Sequence, residues 1–377
     1  MTNLSAIIAP TNVVTTTGTQ TLTNKTLPDT FGFKNRLING AMVIDQRNVG
    51  ASVTPTDGLY TLDRWLFGVS QTSKLTSQQS STAPTGFSNS LLVTSSSAYS
   101  IVSADYFYFR QYIEGFNFAD FMFGTANAQT LTLSFWVRSS LTGTFGGSLI
   151  NNAGNRSYPF TYTINAANTF EQKTVTVTGD TSGTWVGATN GAGISVNFGL
   201  GVGATYSGTA GAWAGALYLG ATGATSVVGT SGATFYITGV QLEKGSTATS
   251  FDVRPYGTEF TLCQRYFQTL AVSTGSGVYI APIVADSAST GLGVVFLPVV
   301  MRTSPSLSIT LSGGTTKYRA NMGSINDNSD TNPTIGNTSS TSFRLNYSGF
   351  TALTANTSGW VTNRDSTGGY FGVTAEL

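Results

Sequence analysis

Residues 131–138 read LTLSFWVR, a run in which every second side chain is apolar. Successive side chains of a β-strand point to opposite faces of a sheet, so this run predicts a strand with one face in a core. Trp136 and Arg138 fall on the other face. The apolar face carries Leu131, Leu133, Phe135 and Val137.

Similar runs recur on both sides of this one, separated by clusters of Gly, Ser, Asn and Thr. Many short strands with such turns are typical of a β-sandwich or jelly roll. Residues 35–47 predict a strand, a turn and a second strand. The further predicted strands are 61–69, 90–93, 106–113, 130–138, 160–164, 172–178, 195–200, 214–219, 234–242, 277–284, 293–301, 306–311, 342–347 and 369–375.

The sequence predicts four parts. Residues 1–34, rich in Thr and Asn, form an extended N-terminal segment, and residues 35–256 form a jelly-roll-like β-sandwich. Residues 257–270 form a helical connector, and residues 271–377 form a smaller C-terminal β domain that is the candidate binding tip. Within that last part, the Asn-, Ser- and Asp-rich residues 321–341 predict a long exposed loop.

An apolar stripe at helical spacing supports the connector helix, with Thr258 as its N-cap. Cys263 lies on the stripe and is expected to be a packed, inert thiol. The stripe consists of Leu262, Cys263, Tyr266, Phe267 and Leu270.

The composition excludes several classes of function. The chain has 377 residues, with no His and one Cys, so His-dependent nucleophilic catalysis and a CxxC zinc site are excluded. Its 18 basic and 17 acidic residues give a net charge of +1, which argues against a general nucleic-acid binder. No apolar run approaches the roughly 20 residues of a membrane span, so no membrane insertion is expected.

Two other kinds of site remain open. Cleavage of a glycan needs a pair of carboxylates about 5 to 10 Å apart, and none of the acidic residues stands in a recognisable motif. A cluster of oxygen ligands at Asn326, Asp327, Asn328 and Asp330 lacks the spacing of a calcium loop, and plain turns are the alternative. No cofactor is expected. The candidate carboxylates include Asp63, Asp105, Glu114, Asp120, Glu171, Asp180, Glu243 and Asp252.

Aromatic side chains are the more promising group, because flat apolar faces of sugars stack on Trp and Tyr. Trp65 and Trp136 are expected in the core. The candidate glycan-binding residues lie among small or polar neighbours, and core packing is the alternative for each. These candidates are Trp360, Tyr318, Trp185 and Trp213.

Several stretches resemble bacteriophage tail-fibre proteins. They are TGTQTLTNKTL (17–27), NRLINGAMVIDQRN (35–48), YTLDRWLFG (60–68), FYITGVQLEKGSTATSFDVRPYGTEFTLCQRYFQTL (235–270), FLPVVMRTSPSLSI (296–309) and FGVTAEL (371–377). The resemblance implies a homotrimeric fibre whose central module is similar to carbohydrate-binding jelly rolls. It also implies an N-terminus that attaches to other tail or baseplate proteins and a distal end that contacts the host surface.

We therefore expect a structural virion protein, a tail-fibre or receptor-binding subunit that binds host surface glycan without turnover. It would be assembled in the bacterial cytoplasm and located in the virion tail. Two alternatives stay open: a tailspike depolymerase that uses two carboxylates, and a capsid or tail decoration protein with no host ligand.

Overall fold

The structure is a computed structural model that describes residues 33–272, 278–310, 317–364 and 370–377, with only the backbone of Val272. Nearly every element in these residues is a β-strand, so the predicted all-β class is confirmed. Of the predicted N-terminal segment 1–34, residues 1–32 lie outside the described residues. Within the described ranges, no helix has the length and apolar character needed to cross a bilayer.

The larger domain is a sandwich of two antiparallel sheets. One sheet has the strand order β1-β2-β5-β10-β7-β8 and the other β3-β4-β13-β6-β9, and β11 and β12 form a short parallel pair. The described strands are β1 (Leu59–Leu62), β2 (Trp65–Val69), β3 (Leu75–Ser80), β4 (Ser90–Ser95), β5 (Tyr106–Glu114), β6 (Leu131–Ser139), β7 (Gly143–Asn151), β8 (Ser157–Ile164), β9 (Glu171–Val177), β10 (Ala192–Val202), β11 (Ser207–Gly208), β12 (Gly220–Ala221) and β13 (Thr234–Lys244). Short 3₁₀ turns cover Gly115–Asn117, Ala119–Phe121 and Ala204–Tyr206.

The core lies between these two sheets and contains the alternating face predicted for residues 131–138. Phe135 of β6 contacts Phe198 of the opposite sheet edge-to-face, with ring centroids 5.1 Å apart. Burial of one such side chain contributes about 1.5–3 kcal/mol. Trp65 is fully buried as expected, whereas Trp136 is half-buried on the outer face. Four residues of β6 are fully buried in this core: Leu131, Leu133, Phe135 and Val137.

The prediction of two strands in residues 35–47 is wrong, because side chains and two separate backbone bonds to β13, rather than a strand ladder, satisfy this backbone. Asn39 has a positive φ of 57°, and its side chain bonds both the N–H and the C=O of Ile44. Gln111 of β5 likewise accepts from the Ile38 N–H and donates to its carbonyl. The segment is thereby fixed against the sandwich without joining a sheet.

Other strands differ from the predictions at turns and in polar runs. Residues 61–69 form a hairpin rather than one strand, since Leu62 pairs with Trp65 and Arg64 has a φ of 71°. Residues 214–219 form no strand apart from an isolated bridge at Ala214. Strands β3 and β7 were not predicted, because Gln, Ser and Gly dilute their apolar alternation.

The connector helix α1 (Tyr256–Gln264) is shorter than predicted. Its N-cap is Pro255, so the prediction of Thr258 at this position is wrong. The helix ends early because the chain is already in a strand at Phe267, which pairs with Thr374. Cys263 is fully buried, as expected, and burial raises the pKa of its thiol.

The C-terminal domain packs a seven-stranded sheet on a three-stranded sheet. The strand orders are β19-β18-β22-β15-β16-β21-β20 and β14-β23-β17. Residues from both sheets share one core, which includes Ile283, Phe343 and Phe371. The described strands are β14 (Phe267–Val272), β15 (Val278–Ala285), β16 (Gly291–Phe296), β17 (Ser306–Ile309), β18 (Tyr318–Met322), β19 (Ile325–Ser329), β20 (Thr334–Gly336), β21 (Ser342–Tyr347), β22 (Ser358–Asn363) and β23 (Tyr370–Thr374).

The predicted exposed loop at residues 321–341 is wrong, because this region contributes three strands to the large sheet. The inward positions of β19 include Asp327, a residue that apolar periodicity does not reveal. Burial alone would raise the pKa of Asp327, but hydrogen bonds from the Ala352 and Thr351 N–H groups lower it below its ordinary value. The backbone thus makes a polar core position tolerable.

A buried ionic cluster joins the two domains. The Glu376 carboxylate, which follows β23, pairs with Arg64 and lies 3.0 Å from Arg47. Arg47 lies 3.6 Å from Asp63, yet burial raises the pKa of this carboxyl to about 6. The Tyr60 hydroxyl also donates to the Leu377 carbonyl at 2.7 Å.

We expect Glu376→Ala to lower the free energy of unfolding by about 3–5 kcal/mol, because two buried guanidinium groups lose their shared carboxylate. Thermal denaturation monitored by circular dichroism would measure this loss of stability in the first unfolding transition. Asp120→Ala is the matched control. Asp120 also has two basic neighbours, Arg36 and Lys244, but it is 46% exposed, so its loss should cost below about 1 kcal/mol. Equal effects of the two substitutions would show that the cluster does not hold the domains together.

Candidate functional site

The seven-stranded sheet has one covered face and one open face. Along β15, Ala281 and Ile283 are buried in the core, whereas Pro282 and Val284 are exposed. We call the open face the C-terminal sheet face. Its outward residues are Tyr279, Pro282, Val284, Leu292, Val294, Phe296, Arg319, Asn321, Asn326, Asn328, Thr334, Ser342, Arg344, Asn346, Ser358, Trp360 and Thr362.

An exposed aromatic pair lies on this face. The rings of Tyr279 and Trp360 meet edge-to-face, with centroids 5.7 Å apart and an interplanar angle of 81°. Trp360 is 51% exposed and Tyr279 63% exposed. A register shift between Tyr279 and Ala281 places the two rings on the same side of the sheet. Single exposed rings occur elsewhere in the chain, but two adjacent exposed rings form a larger apolar surface, which is typical of a binding site.

Amide and guanidinium groups border the aromatic pair on one side. Asn321 is the cross-strand partner of Trp360, and its side-chain amide donates to the Thr362 hydroxyl at 3.2 Å. Arg319 is the cross-strand partner of Thr362, and its Nε donates to Asn328 Oδ1 at 3.0 Å. Flat apolar rings beside such groups can pack on C–H faces and donate to hydroxyl or anionic oxygens.

Exposed apolar side chains lie on the other side of the same face, opposite Arg344 and Ser342. Val284 and Val294 are about half exposed, and Phe296 is 79% exposed. Together with the aromatic pair, these residues form a patch of exposed apolar side chains on a sheet. Such patches mark contact surfaces.

The structure places the four candidate residues predicted from sequence in different environments. Trp360 lies on the C-terminal sheet face, where a role in ligand binding stays a prediction. Tyr318 is fully buried, so its prediction as a surface stacking residue is wrong. Its ring contacts Tyr347 and Phe371, and its hydroxyl donates to Asn332 Oδ1 at 3.0 Å.

Trp185 and Trp213 belong to the larger domain and contact each other edge-to-face, with centroids 5.5 Å apart. Both rings also contact Phe123. The Trp213 indole N–H donates to the Thr178 carbonyl at 2.8 Å. These half-buried rings form a packed cluster, and a ligand role for them stays a prediction.

The candidate carboxylates have partners that belong to the fold. Asp180 receives two bonds from Arg156, and Glu114 receives two from Arg265. The other six likewise accept hydrogen bonds from described residues: Asp63, Asp105, Asp120, Glu171, Glu243 and Asp252.

The possible cation ligands of residues 326–330 do not all lie on one side of the sheet. Asn326, Asn328 and Asp330 are exposed, whereas Asp327 is buried in the opposite direction. The described residues also contain no group of three or more His, Cys, Asp or Glu side chains placed to hold a metal.

A cavity of about 290 Å³ lies where the connector helix meets the larger domain. Phe87, Phe251 and Tyr256 supply its aromatic walls. The charged residues in its lining are already engaged, since Arg254 pairs with Asp252 and Glu259. The cavity therefore offers mainly apolar contact.

The outer face of the six-stranded sheet is not open in the same way. Leu219, from the loop before β12, packs on Tyr108 and Ile150. Arg110 of β5 and Asn197 of β10 are cross-strand partners on this outer face, and Asn197 is fully buried. Loop residues therefore cover part of the outer face of the six-stranded sheet.

Sequence reasoning found Trp360 but not Tyr279, Arg319 or Asn321. The sequence predicts a strand at residues 277–284, close to the observed β15. It did not show which strand of the sheet would pair with it. The register that joins Tyr279 and Arg319 to Trp360 is a property of the folded sheet.

No protein-family model and no curated protein matches the chain. Among solved structures, it is similar to the enzymatically active domain of tailspike protein 4 of bacteriophage CBA120, with 14% identity and a TM-score of 0.32. That match covers 56% of this chain and 22% of the tailspike chain, so the chain spans about a fifth of it.

Two other structures match a similar share of the chain. A putative sugar-binding protein from Bacteroides thetaiotaomicron has 12% identity and a TM-score of 0.32, covering 56% of this chain and 100% of its own. The family 11 carbohydrate-binding module from Clostridium thermocellum has 11% identity and a TM-score of 0.27, covering 53% and 99%.

We expect Trp213→Ala to lower the free energy of unfolding by about 2–3 kcal/mol, because it removes a packed ring and its hydrogen bond. Trp360→Ala should change it by less than about 1 kcal/mol, since this ring is half in solvent. Thermal denaturation of both variants beside the unsubstituted protein measures the difference. A large loss of stability in Trp360→Ala would mean that this ring supports the fold and is not free for a ligand.

Proposed function

We propose that the protein is a non-catalytic glycan-binding subunit and that the C-terminal sheet face is its binding surface. The observation that carries the proposal is the exposed Tyr279–Trp360 pair, bordered by Arg319 and Asn321. The rings would pack on the C–H faces of sugar residues, while the polar groups would bond sugar hydroxyls.

Physical chemistry supports a saccharide on this surface. An exposed Trp beside an exposed Tyr leaves apolar area in water, and a partly apolar ligand would cover it. A flat sheet presents these groups to an extended chain without needing a deep pocket. Glycan binding at an open surface requires no acid–base pair. The candidate carboxylates Asp180 and Glu114 are accordingly bound by arginines of the fold, Arg156 and Arg265.

The biological setting is proposed from the resemblance of the sequence to bacteriophage tail-fibre proteins. In that setting the protein is a homotrimeric receptor-binding subunit of the virion tail. The ligand is a host surface glycan, and residues 1–34 attach the subunit to other tail or baseplate proteins.

We expect the purified protein to bind a subset of bacterial surface polysaccharides on a glycan array. Trp360→Ala should weaken binding to the best of these at least about tenfold, which corresponds to about 1.4 kcal/mol. Isothermal titration with an oligosaccharide from that polysaccharide would measure the change.

Phe116→Ala is the matched control, because Phe116 is 59% exposed but lies in the larger domain. Binding that falls equally in both variants would contradict the assignment of the surface. The same samples should release no oligosaccharide over a long incubation. Release that one Asp or Glu substitution abolishes would favour the depolymerase alternative.

Light scattering tests the proposed assembly, and we expect a mass three times the 39.4 kDa of one chain. A stable monomer at micromolar concentration would contradict an autonomous trimeric fibre. Antibody labelling of particles would then separate a tail position from the decoration-protein alternative.

A further inference from the structure

The charges of the C-terminal sheet face all have one sign. Among the outward residues described for this sheet, Arg319 and Arg344 are charged and the others are neutral. The nearby Asp327 faces the core, where it accepts bonds from the Thr351 and Ala352 N–H groups. Directly beyond the strand ends, Lys317 and Arg364 add two positive charges and the exposed Asp330 adds one negative charge. The open face therefore has a positive potential although the whole chain has a net charge of only +1.

The Arg319 side chain is held in one orientation by a single hydrogen bond. Its Nε is held by Asn328 Oδ1 at 3.0 Å, which restrains the guanidinium plane. Within the described ranges, no carboxylate lies within ion-pair distance of Arg319, and its two Nη atoms form no hydrogen bond. A guanidinium with a free pair of N–H donors matches the two oxygens of a carboxylate, sulfate or phosphate group.

The sheet register places this guanidinium next to the aromatic pair. Arg319 lies opposite Thr362, and Thr362 in turn lies opposite Tyr279. Trp360 occupies the adjacent outward position on β22, diagonal to Arg319. Diagonal neighbours on one face of a sheet are about 7–8 Å apart, which is close to the size of one sugar residue.

We propose that the C-terminal sheet face selects acidic glycans, an inference that rests on the proposed function. Trp360 and Tyr279 pack on a sugar ring, and Arg319 binds the anionic substituent of that sugar or its neighbour. A single-stranded nucleic acid would offer the same combination of charge and flat rings. The face favours a glycan, because its charges are uneven. Lys317, Arg364 and the acidic Asp330 lie together at one end of their strands, and Arg344 lies four strands from Arg319, roughly 19 Å at about 4.8 Å per strand. Such a grouping does not form the continuous row of cations that follows a phosphate backbone.

The test compares acidic oligosaccharides with their own carboxyl-reduced forms. The probes are tetrasaccharides of galacturonate, of mannuronate and of hyaluronan, and fluorescence or calorimetric titration gives each affinity. We expect at least one acidic probe to bind about tenfold or more tightly than its reduced form. That advantage should decrease with added salt.

Substitutions assign the advantage to one residue. Arg319→Ala should remove the difference between acidic and reduced probes, and Arg319→Lys should keep part of it. Arg344→Ala is the matched control, because it removes the same charge from the same face four strands away, and it should keep the difference. Arg319→Gln, which can still donate to Asn328, replaces the alanine variant if that variant unfolds at a lower temperature.

Each other outcome overturns the inference. Equal affinity for acidic and reduced probes, with loss of both in Trp360→Ala, would leave the proposed function standing and contradict the acidic selectivity. Equal losses in the Arg319 and Arg344 variants would show only a general charge effect, and equal binding of a single-stranded oligonucleotide would contradict glycan selection. No binding to these probes and none on the glycan array would contradict both proposals together.

Discussion

The shared Glu376 carboxylate is the interaction on which the relation between the two domains depends. It follows β23, the central strand of the small sheet, and it lies between Arg64 and Arg47 of the larger domain. Since β23 pairs with both β14 and β17, fixing its end also fixes the small sheet. The seven-stranded sheet packs on that small sheet, so the open face is held at a defined position relative to the sandwich.

Charges are used differently in the two parts of the molecule. In the larger domain and at the joint, several buried carboxylates pair with arginines, as Asp180 does with Arg156. On the C-terminal sheet face, arginines remain without carboxylate partners among the described residues. Only 9% of the residues are charged, so each guanidinium without a carboxylate partner has a larger influence on the local potential. The net charge of the chain does not show this difference between paired and unpaired charges.

The sequence predicted the elements in which apolar alternation is strong. Residues 131–138 are the clearest case, because four inward positions are aliphatic or aromatic. Prediction failed for β19, where the inward residue Asp327 depends on backbone donors from a loop about 24 residues away. It also failed for Tyr318: its neighbours Lys317 and Arg319 are basic, but adjacent side chains of a strand point to opposite faces.

The candidate site was predictable only in part for a similar reason. Trp360 has polar neighbours in the sequence, which indicated exposure. The partners Tyr279 and Arg319 come from strands about 80 and 40 residues earlier, and only the pairing of β15 and β18 with β22 brings them together. Register depends on the whole sheet, and a single chain sequence does not display it.

Cys263 has a practical consequence that follows from its place in the fold. It is the one thiol of the chain, and it is fully buried with Ile38, Ile44 and Tyr266, where the two domains and the connector helix meet. A thiol reagent can reach this sulfur only after the contacts around it open. The rate of thiol modification in the native protein therefore reports how often the joint between the domains opens.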